Sequence, residues 1–404
     1  MSLSRRGFVA RVGVAAATAK VPFTVSPLSE DDPLGVRRDF PAALAGAYFH
    51  SAYVTPSPTP VIEAGRRFLE RKGTGTTVVG QMQETADRVR AAYAKLIGAA
   101  PDEIGLLYST SDGENIFVNS LALQRGDNVV VDELHYDTSY VLYARLRDQR
   151  GVELRVVEAR DGRADPSDYA PHIDARTRVV SVAWISHQNG FRHDLRGLAE
   201  LAHARGALLY VDGIQGVGAL PLDVRAEGVD MMTVGTYKWL LGGFGVAPTY
   251  IRRELLDRVQ PDRFGWMHVA RRGEGYSFEL HPGAKRLEYA TLAFAEVYML
   301  EAGLQYLERV GVARIASHGV ALAAKVRAGL VEQGFRVVTP AGNQSHIVSF
   351  MHGIDARRAD VSMKSANVQA TLRDNNQMVR VACAMFNSDE DVARLLEMTK
   401  GWRA

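Results

Sequence analysis

A single lysine, Lys238, lies between a short apolar run and a glycine-rich turn in the segment Thr233 to Gly245. Asp212 stands 26 residues earlier, at the end of the apolar run Leu208 to Val211, and Gln215 follows it by three positions. An amine at one strand end can condense with a carbonyl. A carboxylate at another can keep a ring nitrogen protonated, because a nearby opposite charge favours the charged form. A Schiff-base lysine with an acidic partner for a pyridinium nitrogen is the recurring protein contribution to pyridoxal phosphate chemistry. The protonated ring can then accept electrons from a substrate Cα, and Gln215 can donate to the ring's phenolic oxygen. Taken alone, the same two residues read more simply as a surface lysine and a helix-capping aspartate.

Three further groups fall at the ends of predicted strands, and a fourth lies within one. Ser109-Thr-Ser-Asp-Gly-Glu-Asn follows the run Ile104 to Tyr108 and opens a helix. A polar turn at a helix start offers free N–H groups and the positive end of the dipole to an anion. Asp112 and Gly113 supply amides in that reading, and Ser111 or Thr110 a hydroxyl. His135 and Tyr136 follow the run Val129 to Val131, where a flat ring could stack on a flat cofactor. His187 and Asn189 close the next strand, and a loop cap is the competing reading for Asn189. Arg380, in Met378 to Ala382, has the fork that matches a carboxylate with two parallel hydrogen bonds. A surface ion pair is the commoner fate of an arginine.

The elements that must position these residues alternate. Runs at 104–108, 129–131, 152–157, 179–184, 207–211, 231–234 and 246–251 are separated by helical patterns, as at 82–97, 137–149 and 194–205. Short apolar strands spaced by helices predict an α/β fold with a mostly parallel seven-stranded sheet covered on both faces. Ligands in such sheets bind beyond the carboxyl ends of the strands. From about residue 285 two long helices, 293–310 and 312–332, precede short strands near 335–338, 346–350 and 378–381 and a last helix, 389–402. This predicts a large domain over 45–284 and a small α+β domain over 285–404, joined by the segment 29–44.

The 404 residues are 47% hydrophobic and 23% charged, with a net charge of +2. That is the composition of a globular enzyme and gives no electrostatic case for binding nucleic acid. No apolar run has the length of a membrane span. The lone cysteine, Cys383, excludes an internal disulfide and a cysteine metal cluster, and no histidine spacing predicts a structural metal. Residues 1–28 read either as a twin-arginine export signal, with Arg5, Arg6 and a small-residue site at Ala17 to Ala19, or as a disordered leader. Localisation stays open between export and the cytoplasm.

In order and spacing, these segments resemble the class V aminotransferase-like enzymes of pyridoxal phosphate fold type I, from about residue 45 to 400. That group includes cysteine desulfurases, isopenicillin N epimerase-like proteins and kynureninase. The resemblance rests on Asp212-x-x-Gln215, on Lys238, and on the Trp239-Leu-Leu-Gly-Gly-Phe-Gly that follows it. It implies Lys238 as the Schiff-base lysine, Asp212 as the pyridinium partner and Gln215 as the O3′ contact. Ser111, Asp112 and Gly113 fall at the phosphate loop, with Thr236 and Tyr237 adding hydroxyls. His135 falls at the stacking position, or Tyr136 if the alignment slips by one. Arg380 falls on the substrate-carboxylate arginine, with Asn189 near it. The family's two-fold dimers donate a phosphate-binding threonine across the interface. This matches Thr291, with Trp266 to His268 as further cross-subunit candidates.

Two departures shape the functional expectation. Tyr237 stands where desulfurases carry histidine, and Thr236-Tyr237-Lys238 resembles the Ser-Tyr-Lys of kynureninases. The loop candidate 356–376 holds no cysteine, so the resemblance excludes a desulfurase, which needs a mobile thiolate. His187 takes the substrate-facing asparagine position, and with His135 it can move protons near neutral pH. The expected enzyme acts at the α-carbon of an amino acid or amino-acid conjugate, through an external aldimine and a quinonoid, by an aminotransferase or lyase reaction. The alternatives are an O2-dependent monooxygenase-decarboxylase and an epimerase of the isopenicillin N type.

Overall fold

The computed structural model describes residues 32–403, so the leader at 1–28 lies outside the described residues. Its main sheet has seven strands, in the spatial order Ile104–Leu107, Ala247–Ile251, Met231–Thr233, Leu208–Asp212, Thr177–Ala183, Asn128–Asp132 and Glu153–Val157. Ala247–Ile251 runs antiparallel to both its neighbours, and every other pairing is parallel. The central strands are buried along their whole length, which is why they read as unbroken apolar runs. Their residues alternate between two cores. Val130, Leu209, Val211 and Met232 join one cluster, while Val129, Val131, Leu208, Tyr210 and Met231 join the other. That is the two-residue period of a strand with helices on both faces.

The helix Thr110–Ser120 is capped by Ser109, whose Oγ accepts the Asp112 amide at 3.0 Å. It packs so close to the sheet that a Cβ on Gly113 would sit 2.1 Å from Thr233 Oγ1. Gly113 is therefore a packing glycine that lets the helix N-terminus reach the strand ends.

A second, antiparallel sheet orders Arg336–Val337, Ile347–Met351, Met378–Ala382 and Thr371–Arg373, backed by the helices Val312–Glu332 and Asp389–Lys400. The early pair Ala47–Tyr48 runs parallel to Val368–Gln369 beside it, and Arg37 holds buried Asp391 at 2.7 Å. The helices Thr59–Gly73 and Val79–Ile97 lie against Phe294–Val310. Buried Arg90 grips Glu288 through three contacts of 2.6–3.0 Å, and Glu288 also accepts the Leu106 amide at 2.9 Å. This ties the helix Val79–Ile97 to the edge strand.

The segment 356–376, expected as a loop, instead holds the helix Ala356–Ser365 and the strands Val368–Gln369 and Thr371–Arg373. That helix buries only Ala359 and Met363, too few apolar positions for a legible period. No described helix is long and apolar enough to cross a membrane, and the described residues hold no His, Cys, Asp and Glu cluster suited to a metal.

Candidate active site

At the carboxyl ends of the parallel strands opens a cavity. Lys238, Asp212, Gln215 and Tyr237 line one side of it, and Tyr136 and His187 another. Ser109, Thr110 and Ser111 bring the helix N-terminus to it.

Lys238 follows the strand Met231–Thr233 in a turn closed by hydrogen bonds from the Leu241 amide to the Lys238 carbonyl and from the Gly242 amide to the Thr236 carbonyl, both 3.0 Å. The side chain is buried, with its Nζ 5.6 Å from the centre of the Tyr237 ring. Burial lowers the ammonium below the ordinary lysine range. Asp212 opposes this, while Arg380 and Arg373 add to it. Asp212 ends its strand and receives the Ile214 amide at 2.9 Å. Burial raises its carboxyl, against that amide and Lys238. A protonated ring nitrogen would give this buried acid the partner it lacks.

Gln215 is oriented by its neighbours. Trp239 Nε1 can only donate, so the Gln215 oxygen faces it at 3.1 Å, and Gln215 Nε2 donates to the Ala52 carbonyl at 2.7 Å. One N–H of Gln215 remains for the cavity. The Tyr237 ring stacks on Phe244 at 4.4 Å, and burial pushes its phenol up to about 12, so it is a donor at neutral pH.

Several expected contacts are corrected. The Asp112 and Gly113 amides, expected at a phosphate, are spent on the Ser109 hydroxyl and carbonyl. The Asp112 carboxylate turns away to Arg263 at 2.8 Å. The first-turn residues at the cavity are instead Ser109, Thr110 and Ser111. The Thr236 hydroxyl, expected at the cofactor, donates to the carbonyls of Gly243 and Val246 at 2.7 and 3.0 Å and closes the lysine turn. Asn189, expected at the substrate, caps its own loop. Its Nδ2 donates to the Gly162 carbonyl at 2.7 Å, and its Oδ1 accepts the Phe191 amide at 2.9 Å.

His135 is fully buried behind the cavity rather than stacked in it. Its Nδ1 accepts the Tyr136 amide at 2.7 Å and its Nε2 meets Ser181 Oγ at 2.9 Å. Tyr136 is the ring that reaches the cavity wall. Burial pushes His135 down to about 4, so it stays neutral.

His187 lines the cavity with both ring nitrogens unpartnered, edge-on to Tyr136 at 5.0 Å. Burial pushes it down to about 2, with Arg373, Arg380 and Lys238 adding to the effect. Arg380 is 2% exposed. It donates to the His187 carbonyl and, at 3.5 Å, to Thr371 Oγ1, while its Nε has no partner. No acid pairs with it among the described residues. Burial, with Arg373 nearby, pushes it down to about 9. A buried guanidinium without a counter-ion is costly unless an anion joins it. Thr291 is exposed and lies outside this cavity, with its carbonyl receiving the Tyr108 hydroxyl at 3.1 Å. Trp266 is exposed, whereas His268 is buried and accepts the Gly265 amide at 3.2 Å.

Glu114 also lines the cavity and was not singled out from the sequence. The available signal was its position three and four residues before buried Phe117 and Val118, which puts it on the inward helix face. The orphaned cationic and imidazole groups, the buried lysine and acid, and the helix N-terminus together fit pyridoxal phosphate and an anionic substrate.

Comparison with known proteins agrees with this site. Residues 47–395 match the family model for class-V aminotransferases. A probable cysteine desulfurase of Methanothermobacter thermautotrophicus is 32% identical over 300 residues, covering 72% of this chain and 74% of that protein. The uncharacterized aminotransferase YcbU of Bacillus subtilis is 29% identical over 317 residues, covering 78% and 83%. The apo structure of a cysteine desulfurase from Thermococcus onnurineus NA1 superposes with a TM-score of 0.84 at 24% identity, covering 93% of this chain and 98% of that one, which shows the fold. The chain belongs to the class-V aminotransferase family of pyridoxal-phosphate-dependent enzymes.

Proposed function

We propose that the enzyme acts at the α-carbon of a small amino acid or amino-acid conjugate, in an aminotransferase or lyase reaction. The observation that carries this reading is Arg380, a buried guanidinium without an acid partner that adjoins the cavity of Lys238 through His187. It supplies a seat for a substrate carboxylate. Bound pyridoxal phosphate supplies an electron sink for a carbanion at the substrate Cα. Lys238, its proton affinity lowered by burial, is suited to take and return the Cα proton. Asp212 would hold the proton of the ring nitrogen, and the remaining Gln215 N–H would meet the ring oxygen. The first turn of the helix Thr110–Ser120 seats the phosphate. The Tyr136 ring walls the site, and His187 is a neutral imidazole able to accept a proton.

The state of Cys383 supports a reaction other than cysteine desulfuration. It is buried in the core beside the second sheet, its amide is bonded to the His346 carbonyl at 2.8 Å, and burial raises its thiol far above the ordinary range. A thiolate nucleophile has no means of reaching the substrate from there.

Turnover of an amino-acid panel by the cofactor-loaded protein, with a 2-oxo acid supplied as amino acceptor, with and without O2 and with products identified by mass, tests this reading. The expected products are a keto acid or an eliminated fragment, formed equally without O2. Alanine and a persulfide from cysteine would overturn it. O2 uptake with loss of CO2 would replace it by oxidative decarboxylation, and a racemised substrate by epimerisation.

We further infer a two-fold dimer in which exposed Thr291 reaches the partner's phosphate. A monomer in solution that retains the cofactor fully would sink this.

A further inference from the structure

We propose that Glu114 is a positioning residue for the cofactor. It is a buried carboxylate that sets the charge at the Asp212 end of the cavity and, through Ser181 and His135, anchors the segment carrying Tyr136. This rests on the family's cofactor occupying the cavity and on no choice among the reactions.

The geometry begins with the helix Thr110–Ser120, which carries Glu114 inward until the residue is only 3% exposed. Its Oε2 accepts Ser139 Oγ at 2.7 Å, and its Oε1 accepts the Tyr143 hydroxyl at 2.9 Å and Ser181 Oγ at 2.8 Å. The donors come from the helix Asp137–Arg150 and the strand Thr177–Ala183, and all are neutral. No cation pairs with Glu114 among the described residues. The strand register places the acid relative to Asp212. Ala183 stands opposite Asp212, and Ser181 stands opposite Tyr210. Residues two apart share a sheet face, so the Ser181 that holds Glu114 lies one step below Asp212, roughly 7 Å along the strand.

The second half of the network has a direction. The Tyr136 amide donates to His135 Nδ1, so the proton of this neutral ring sits on Nε2. Nε2–H donates to Ser181 Oγ, and Ser181 donates to Glu114. The chain from the backbone of Tyr136 to the carboxylate therefore has one polarity. Ionised Glu114, an acceptor only, completes it.

An amide could fill much of this hydrogen-bonding role without the expense of burying an acid. What a carboxylate adds is charge. The groups facing it are Tyr143, Tyr210, Asp212 and, through Ser181, His135. Burial, with Asp212 as a like-charged neighbour, pushes Glu114 up to about 7 against the three hydroxyl donors. It thus sits beside the cavity as a buried acid, held by three hydroxyl donors, with its proton affinity raised by burial.

The experiment is a spectrophotometric pH titration of the cofactor-loaded protein, wild type against Glu114→Gln, with melting temperatures alongside. Nearby negative charge favours the protonated, cationic linkage between cofactor and lysine. Removing it is expected to lower the midpoint of the visible band by half a unit or more, roughly threefold in the proton equilibrium. A superimposable titration with an unchanged cofactor dissociation constant would overturn the proposal and leave Glu114 a packing residue.

If Glu114→Gln does not fold, Tyr143→Phe keeps the acid and removes one donor. The titration of Glu114 is then expected to move up, so the acid is charged over less of the pH range and the band's midpoint moves to lower pH, the same direction as in Glu114→Gln; an unmoved profile overturns the proposal. A wild-type protein that shows no visible band with added pyridoxal phosphate would instead overturn the cofactor assignment. The two failures are therefore distinct.

Discussion

Lys238→Ala is expected to leave a folded protein that no longer holds the cofactor covalently and turns over at least about 10³-fold more slowly. The expectation follows from position. The side chain is buried at the cavity wall beside Tyr237, and Asp212 is the acid that acts on it electrostatically. Desolvation lowers the proton affinity of the amine, as the proposed nucleophile and base requires, and among the described residues no second lysine lines the cavity. Borohydride reduction followed by peptide mass mapping is the direct check. Wild-type protein should gain the cofactor's mass on the peptide containing Lys238, and the variant should not. Burial already holds the ammonium below the ordinary lysine range, so its loss removes little charge stabilisation and should move the melting temperature by only a few degrees. A variant that retains turnover within tenfold of wild type would remove Lys238 from the chemistry.

The second large effect is expected at Arg380. Removing one partner of a buried, hydrogen-bonded charge pair typically costs 2–5 kcal/mol, so Arg380→Met should lower kcat/KM by roughly 30-fold or more, chiefly through KM. Stability should respond in the other direction. In the ligand-free protein the guanidinium has no acid partner, its Nε is unpartnered, and burial has already pushed it down to about 9. Replacing such a charge by an apolar side chain relieves desolvation. The loss of a donor to the His187 carbonyl offsets part of that gain, by about 1 kcal/mol. The expected melting temperature of ligand-free Arg380→Met is therefore equal to or above that of wild type. A fall of several degrees with an unchanged KM would make Arg380 a structural residue.

These effects come from groups that chain-local patterns bring out. The strands that end in Asp212 and precede Lys238 are short apolar runs because both their faces are covered. An acid that terminates such a run, or an amine in the turn that follows one, emerges at the carboxyl end of the sheet. Arg380 interrupts an apolar strand, and its neighbours Val379 and Val381 are fully buried.

The residues read differently from the sequence share a different property. Thr236, Asn189, Asp112 and Gly113 have the right type and place for a ligand, but their polar groups close turns and caps within a few residues. His135 and Tyr136 exchange roles because the turn after the strand folds the His135 ring onto Ser181 and the Tyr136 amide and leaves Tyr136 at the cavity. Composition gives no means of deciding which of the two faces the cavity.

Sequence alone therefore determined the layered α/β order and placed Asp212 at a strand end, because hydrophobic periodicity and strand ends are local properties of the chain, while the pairing of Lys238 with Asp212 and Gln215 came from the family resemblance. The tertiary structure alone decided which polar groups remain unspent. Arg380 Nε and the His187 ring are left without partners, while Thr236 and Asn189 are fully used. It also decided that Glu114 meets Ser139, Tyr143 and Ser181, since hydrogen-bond satisfaction depends on atoms brought together from distant parts of the chain.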